Sequence, residues 1–178
     1  MKIWLKKERE YMKIIIQNDV KTKLYEDLMK AGINEIKGAC FAYNSSPNVF
    51  EIEEVYISPV HGTFAFSNLI INYKYKKFER DYFKRHNYDY EKHNYIGDWH
   101  SHPSFDCIPS QYDIKEVLDE LSKSNANFLI QLILKIENGK LIGNCYYYNL
   151  KEKTIKCELL LWAKKDYPYY VIYKSSVI

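Results

Sequence analysis

The chain is poor in the residues that divide, staple or hide a polypeptide. Six glycines and five prolines among 178 residues leave no Gly/Ser/Pro-rich linker, and no repeat appears, so a single domain spanning 1–178 is expected. Four cysteines, Cys40, Cys107, Cys145 and Cys157, include no C-x-x-C pair. That spacing excludes the ligand pair of a zinc deaminase and leaves buried or inert thiols as the expectation. Neither sign of charge dominates: 26 Lys and Arg against 23 Asp and Glu give +3, too weak a basic field to argue for nucleic acid. No apolar run approaches the ~20 residues that span a bilayer. The first residues, Met1-Lys2-Ile3-Trp4-Leu5-Lys6-Lys7, lack an apolar core and a small-residue cleavage site, so a cytoplasmic protein without membrane contact is expected. What remains is an ordinary globular composition, 47% hydrophobic and 28% charged. The abundance of Lys, Asn, Ile and Tyr fits an A/T-rich coding sequence and carries little functional weight.

Periodicity predicts a mixture of strands and helices. Ile3–Leu5 and Tyr11–Ile16 read as strands. Asn18 or Asp19 caps a helix running to about Lys30, with Leu24, Leu28 and Met29 on one face and Gly32 at its C-terminal stop. Ile36–Tyr43 reads as a buried strand, Asn44–Asn48 as a turn, and Val49–Ile57 as its hairpin partner, ended by Pro59. The stretch from Phe64 to Tyr90 reads as a helix with Phe78, Tyr82 and Phe83 as its apolar stripe. Tyr95–His100 is a strand and Ser110–Leu121 a helix with Ile114, Val117, Leu118 and Leu121 on one side. Phe128–Ile136, Leu141–Tyr148 and Thr154–Trp162 are three more strands, the first two joined by the hairpin dipeptide Asn138-Gly139. Tyr167–Tyr173 is a last strand or a docked extension. The fold class is α/β of the mixed α+β kind.

One stretch carries the chemistry. His100-Ser101-His102 is followed, after seven residues, by Ser110-Gln111-Tyr112-Asp113. Residues i and i+2 of a strand share a face, so His100 and His102 can reach one cation while Ser101 points away. Ser110 and Asp113 lie one helical turn apart and face the same side. Two imidazoles and a carboxylate suit a divalent transition metal, most often zinc, and three protein ligands leave a position for water, as in catalytic sites. Such a centre generates a nucleophile at neutral pH and polarises a carbonyl. A further Glu or Asp must then carry the proton to the leaving amine, and the Ser110 hydroxyl is placed to donate to an oxyanion. Taken singly, Asp113 is an ordinary first-turn helix acid and Ser110 an ordinary N-cap.

His100-x-His102-x(7)-Ser110-x-x-Asp113 resembles, without a substitution, the JAMM motif of the JAB/MPN metalloprotease family. The resemblance implies a mixed β-sheet flanked by helices, as in cytidine deaminases, over Asp19 to about Trp162. It implies a zinc-dependent isopeptidase or peptidase that cleaves ubiquitin or ubiquitin-like proteins from their conjugates. In that family a glutamate of the form Glu-x-x-Gly before a hydrophobic strand moves the protons, and Glu35-Ile36-Lys37-Gly38 looks like that element. Glu35 is therefore the expected general base and acid, ahead of Glu51, Glu53 and Glu54. Lys37 stands where a small residue is common and Ala42 where glycine is usual, departures that bear on the loop geometry.

The block Tyr95-Ile96-Gly97-Asp98-Trp99-His100-Ser101-His102-Pro103 is similar to bacterial JAB proteases encoded beside ubiquitin-like activating and conjugating enzymes in antiphage operons of the cyclic-oligonucleotide signalling type. There the protease releases the signal-synthesising enzyme from its conjugates. Asp98 stands where glutamate is frequent. The expected substrate is thus a ubiquitin-like protein or a conjugated signalling enzyme, with the activating and conjugating enzymes of the same operon as possible partners. Alternatives are a JAB peptidase acting on a sulfur-carrier or cell-wall peptide, and a non-catalytic scaffold, which usually lacks ligands that this chain retains. Cys107 lies inside the motif but the ligand set is complete without it. Trp99, opposite His100, is expected in the core. His61, His86 and His93 have no ligand spacing and read as surface or loop histidines. Ser104, Phe105, Asp106 and Ile108 lie between the ligands, where a substrate chain would pass. Lys74, Lys76, Lys77, Arg80, Lys84 and Arg85 read as a solvated helix face.

Overall fold

The computed structural model describes residues 12–58, 73–150 and 155–157. The expected strand at Ile3–Leu5, the stop at Pro59, the first part of the expected helix (64–72), His61, the outer parts of the last strand and the tail from Tyr167 lie outside these residues.

Strand β1 (Lys13–Ile16) leads into helix α1 (Asn18–Ala31). The N-cap of α1 is Gln17, whose side chain makes no capping bond, instead of Asn18 or Asp19. Asp19 sits inside the first turn, where its carboxylate accepts the Val20 N–H at 2.9 Å and complements the helix dipole. The stop falls as expected at Gly32, in the left-handed region at φ 60°, with its N–H donated to the Leu28 carbonyl. Strands β2 (Lys37–Ser46) and β3 (Val49–Ile57) follow. Their turn is only Pro47-Asn48, because Asn44 and Ser46 continue the ladder by pairing with Phe50 and Val49. Helix α2 (Tyr73–Arg85), strand β4 (His93–Ser101), helix α3 (Gln111–Lys123), strands β5 (Leu129–Glu137) and β6 (Lys140–Tyr148), and the short β7 (Ile155–Cys157) complete the described chain. Asn138 and Gly139 join β5 to β6 with φ of 51° and 69°, the left-handed pair that a tight hairpin requires.

The helix expected up to Tyr90 ends at Arg85. Asn87 and Tyr88 both take positive φ, 53° and 57°, which reverses the chain. The Tyr88 and Asp89 N–H groups close that turn onto the Phe83 and His86 carbonyls.

The strands form one mixed sheet in the order β1-β3-β2-β4-β5-β6-β7. β1 and β3 are parallel, as are β4 and β5; the other neighbours are antiparallel. The parallel β4–β5 pair makes β4-α3-β5 a crossover unit, so the segment after β4 leaves from the carboxyl end of a central strand, where open sheets place their ligands.

Period-two alternation distributes the core over both faces. Ile130, Leu132 and Leu134 of β5 face α1, whose Val20, Leu24 and Leu28 recur at helical spacing. Leu129 and Ile133 face the other way, toward Val117 and Leu121 of α3. On that same second face α2 presses Tyr75 and Tyr82 onto Ala39, Phe41 and Tyr56, with Phe78 and Phe83 at the edge. Phe41 is ringed by Tyr75, Phe78, Tyr82, Phe83 and Tyr95 at centroid distances of 4.7–6.4 Å, contacts that contribute about 0.5–1.5 kcal/mol each beyond their burial. Trp99 lies fully buried toward α1, as expected, and donates its indole N–H to the Tyr56 carbonyl at 3.0 Å.

Besides a register shift at Ser45 near the β2–β3 turn, two bulges interrupt the alternation. The β2–β3 ladder steps from Phe41↔Glu54 to Ala42↔Ile52, leaving Glu53 unopposed. The β2–β4 ladder steps from Cys40↔Gly97 to Phe41↔Tyr95, leaving Ile96 unopposed. Gly97, at φ 142°, sits at this second bulge, and a Cβ there would collide with the Ile130 backbone of the adjacent strand. Only glycine fits that approach.

Candidate metal centre

The end of β4 and the start of α3 converge as the spacing predicts. The Nε2 atoms of His100 and His102 lie 3.1 Å apart, and Asp113 Oδ2 is 3.9 Å from His100 Nε2. Two ligand nitrogens bonded at 2.0–2.1 Å to one tetrahedral zinc stand about 3.3 Å apart, so the pair is already spaced for a shared cation. These three residues form one of two groups among the described residues whose donor atoms could hold a metal.

Each ligand is held by its surroundings. The His102 Nδ1 lies 2.8 Å from the Asp106 carbonyl. A carbonyl can only accept, so Nδ1 carries the proton and the Nε2 lone pair points to the site. Burial pushes the His100 imidazole down to about 4, against the opposing pull of Asp113, so it is neutral at physiological pH, as a ligand must be. Ser110 and Asp113 form a reciprocal capping box. The Asp113 N–H donates to Ser110 Oγ at 3.2 Å, and the Ser110 N–H donates to Asp113 Oδ2 at 2.7 Å. Ser110 is therefore the N-cap of α3, and the bond it accepts leaves its own hydroxyl proton available to a substrate oxygen. Asp113 uses the same oxygen for the cap and for the approach to His100.

A cavity of about 560 Å³ opens over the site, lined by all five expected residues, Glu35, His100, His102, Ser110 and Asp113. Glu35 reaches it from the connection before β2. What places it there is Ser101, the residue on the face away from the ligands. Buried Ser101 Oγ accepts the Ile36 N–H at 2.9 Å, and its own N–H donates to the Ile36 carbonyl at 2.8 Å. Glu35 is thereby pinned beside the strand that carries the histidines. Glu51, Glu53 and Glu54 do not line the cavity. Lys37 is paired in register with His100 on β2 and does not displace the Glu35 segment; burial lowers its ammonium from the ordinary value.

The sequence reading missed two polar residues of the cavity floor. Asp98 is buried, one of its carboxylate oxygens meets no hydrogen-bond partner, and burial, reinforced by Glu120, pushes its carboxyl well up. Gln131, also buried, accepts the Tyr148 hydroxyl at 3.0 Å. The signal for Asp98 was its position two residues before His100, which shares that histidine's face. At the rim, Phe105, Ile108 and Tyr112 are more than half exposed. Cys107 lies in the apolar cluster under α3, outside the ligand group, while its carbonyl accepts from Asn144 and Tyr146.

His86 lies in the turn after α2, as expected of a loop histidine, whereas His93 opens β4. Both are largely buried, their rings stack at 3.8 Å, and they share the Glu53 carboxylate.

A family described as prokaryotic homologs of the JAB domain matches residues 17–141. The chain belongs to this family. No curated protein matches it. A solution structure of a Desulfitobacterium hafniense protein superposes with a TM-score of 0.57 at 17% identity, covering 85% of this chain and 94% of that one. A JAB1/MPN domain protein of Archaeoglobus fulgidus covers 83% of this chain and 95% of its own at 18% identity, with a TM-score of 0.41. The mixed sheet flanked by helices is the fold expected of the JAB/MPN class. No helix among the described residues is long and apolar enough to cross a membrane.

Proposed function

We propose that the chain is a zinc-dependent isopeptidase or peptidase that hydrolyses an amide bond between a ubiquitin-like protein, or the C-terminus of a signalling enzyme, and its target. The observation that carries this reading is the convergence of His100 Nε2 and His102 Nε2 at 3.1 Å, with Asp113 beside them, in a cavity shared with Glu35. His100, His102 and Asp113 would hold the ion, and the donor set fits zinc. When bound, it supplies Lewis acidity and an activated water at neutral pH.

The remaining steps fall to the chain's own groups. Glu35 takes the proton released by the attacking water and passes it to the leaving amine. The Ser110 hydroxyl donates to the oxygen on which charge develops. The exposed Phe105, Ile108 and Tyr112 offer apolar contact to an extended substrate segment entering the cavity. The likeness of Tyr95–Pro103 to the deconjugating proteases of antiphage operons supports a signalling-enzyme conjugate as substrate.

The test is cleavage of a panel of fusions: a ubiquitin-like protein joined to a target through its C-terminus, a sulfur-carrier fusion and a cell-wall peptide. Cleavage of the first, lost with chelator and restored by zinc, is the expected result. Glu35→Ala should abolish it while metal content stays unchanged. Protein that is fully active after complete metal removal would refute the mechanism, and selective cleavage of another panel member would reassign the substrate.

A further inference from the structure

We propose a second transition-metal site at the opposite end of β4, formed by Glu53, His86 and His93. It stands independently of the proposed peptidase activity. Three elements supply it: β3 gives Glu53, the turn after α2 gives His86, and the first residue of β4 gives His93. Their donor atoms lie within 4.8 Å of one another. The donor set, two imidazoles and one carboxylate, is that of the first site and suits a borderline divalent ion such as zinc or cobalt.

The backbone brings these side chains together, and a shared ion would require the stacked rings to turn. Neighbouring strand residues normally face opposite sides. Ile52 and Val55 do face α1, but Glu53 and Glu54 both face α2, because the bulge inserts one residue between them. Glu53 takes its face by ordinary alternation from Ile52, and the bulge turns Glu54 to that face as well. The positive φ values of Asn87 and Tyr88 fold His86 back onto His93, seven residues on, so that their rings stack. Side-chain exposures of 16% for Glu53 and His93 and 23% for His86 leave the group sheltered yet reachable by a small ion.

Hydrogen bonding alone leaves the cluster incompletely paired. Glu53 Oε1 lies 2.7 Å from both the Tyr82 hydroxyl and His93 Nδ1. His86 Nε2 stands 3.6 Å from the same oxygen, beyond hydrogen-bond reach. A cation shared by the two imidazoles and the carboxylate would engage all three donors. Arg85 pairs with Glu54 at 2.6 Å and not with Glu53. Bound metal would tie the end of α2 and the turn that follows it to the sheet.

The experiment measures zinc per chain after metal removal, reloading with zinc and desalting, and cobalt absorption after reloading with cobalt, on the full chain. Two equivalents are expected for the native protein, one for His86→Ala with His93→Ala, one for His100→Ala with His102→Ala, and none for all four together. In the His100→Ala, His102→Ala background zinc should raise Tm by several degrees, and Glu53→Gln, which keeps the Tyr82 contact, should cancel that rise with circular dichroism unchanged. One equivalent in the native protein, retained in the His86 and His93 variant, would overturn this site and leave the first standing. One equivalent lost in that variant instead would support this site and refute the first.

Discussion

Ser101→Ala tests whether the second face of β4 positions the proton carrier of the first. The change removes one oxygen and leaves the backbone in place. Its direct consequence is a buried Ile36 N–H without an acceptor, which costs about 1–3 kcal/mol. In a domain of this size about 2–4 °C of Tm follows each kcal/mol, so a loss of about 2–12 °C is expected. The functional consequence is larger. Glu35 is the residue before Ile36, and with one of two bonds to β4 gone the segment that brings it to the cavity is held less firmly. A displacement of about 1 Å at a reacting group costs on the order of 100-fold, so kcat on a cleavable fusion should fall about 10- to 100-fold while KM changes little. His100, His102 and Asp113 are untouched, so zinc content should stay at the native value. Ser101→Thr keeps the accepting oxygen and should recover most of the kcat. Native kcat in Ser101→Ala, or lost zinc together with lost kcat, would refute the assignment of Ser101 as the residue that positions Glu35.

Three further outcomes follow from other parts of the fold. Gly97→Ala drives a Cβ into the Ile130 backbone at a positive φ and should cost about 2–5 kcal/mol; an unchanged urea midpoint would contradict the close approach of β4 and β5. Ser110→Gly costs the N-cap only a few tenths of a kcal/mol but removes the hydroxyl donor, so kcat should fall by about 10²- to 10³-fold at nearly constant Tm; equal activity would exclude Ser110 from oxyanion binding. The Glu120 carboxyl, which accepts the Tyr95 hydroxyl, is raised chiefly by burial, so the folded state holds its proton more tightly than the unfolded one. Its stabilising effect is complete below the unfolded value near about 4.3 and is lost as pH rises through the folded value. Glu120→Gln should therefore gain stability relative to the native chain as pH rises above the unfolded value, and parallel urea profiles over that rise would refute the shift.

The grouping of the candidate ligands was legible because its geometry is local. His100 and His102 share an extended face by period two, and Ser110 and Asp113 share a helical turn, so their convergence required only that the loop after Ser101 turn α3 back onto the end of β4. Asn138-Gly139 and Gly32 were legible for the same reason: the left-handed backbone each position takes is a property of one or two residues. The extent of the helix after Tyr73 was not. Its apolar stripe ends where Asn87 and Tyr88 turn the chain, and Tyr88 is not a residue type that announces a left-handed conformation.

Sequence by itself determined which residues could bind a cation and which helices and strands present them. Tertiary structure alone decided what stands next to them. Glu35 reaches the cavity through a hydrogen bond between residues 65 positions apart, a contact no local period encodes. The Asp98 carboxyl is pushed well up by the low-dielectric interior that other strands and α3 create around it. Glu53 meets His86 and His93 only because β3, the turn after α2 and the start of β4 pack side by side. Local periods act over a few residues through covalent geometry; burial and register arise only when distant segments exclude water together.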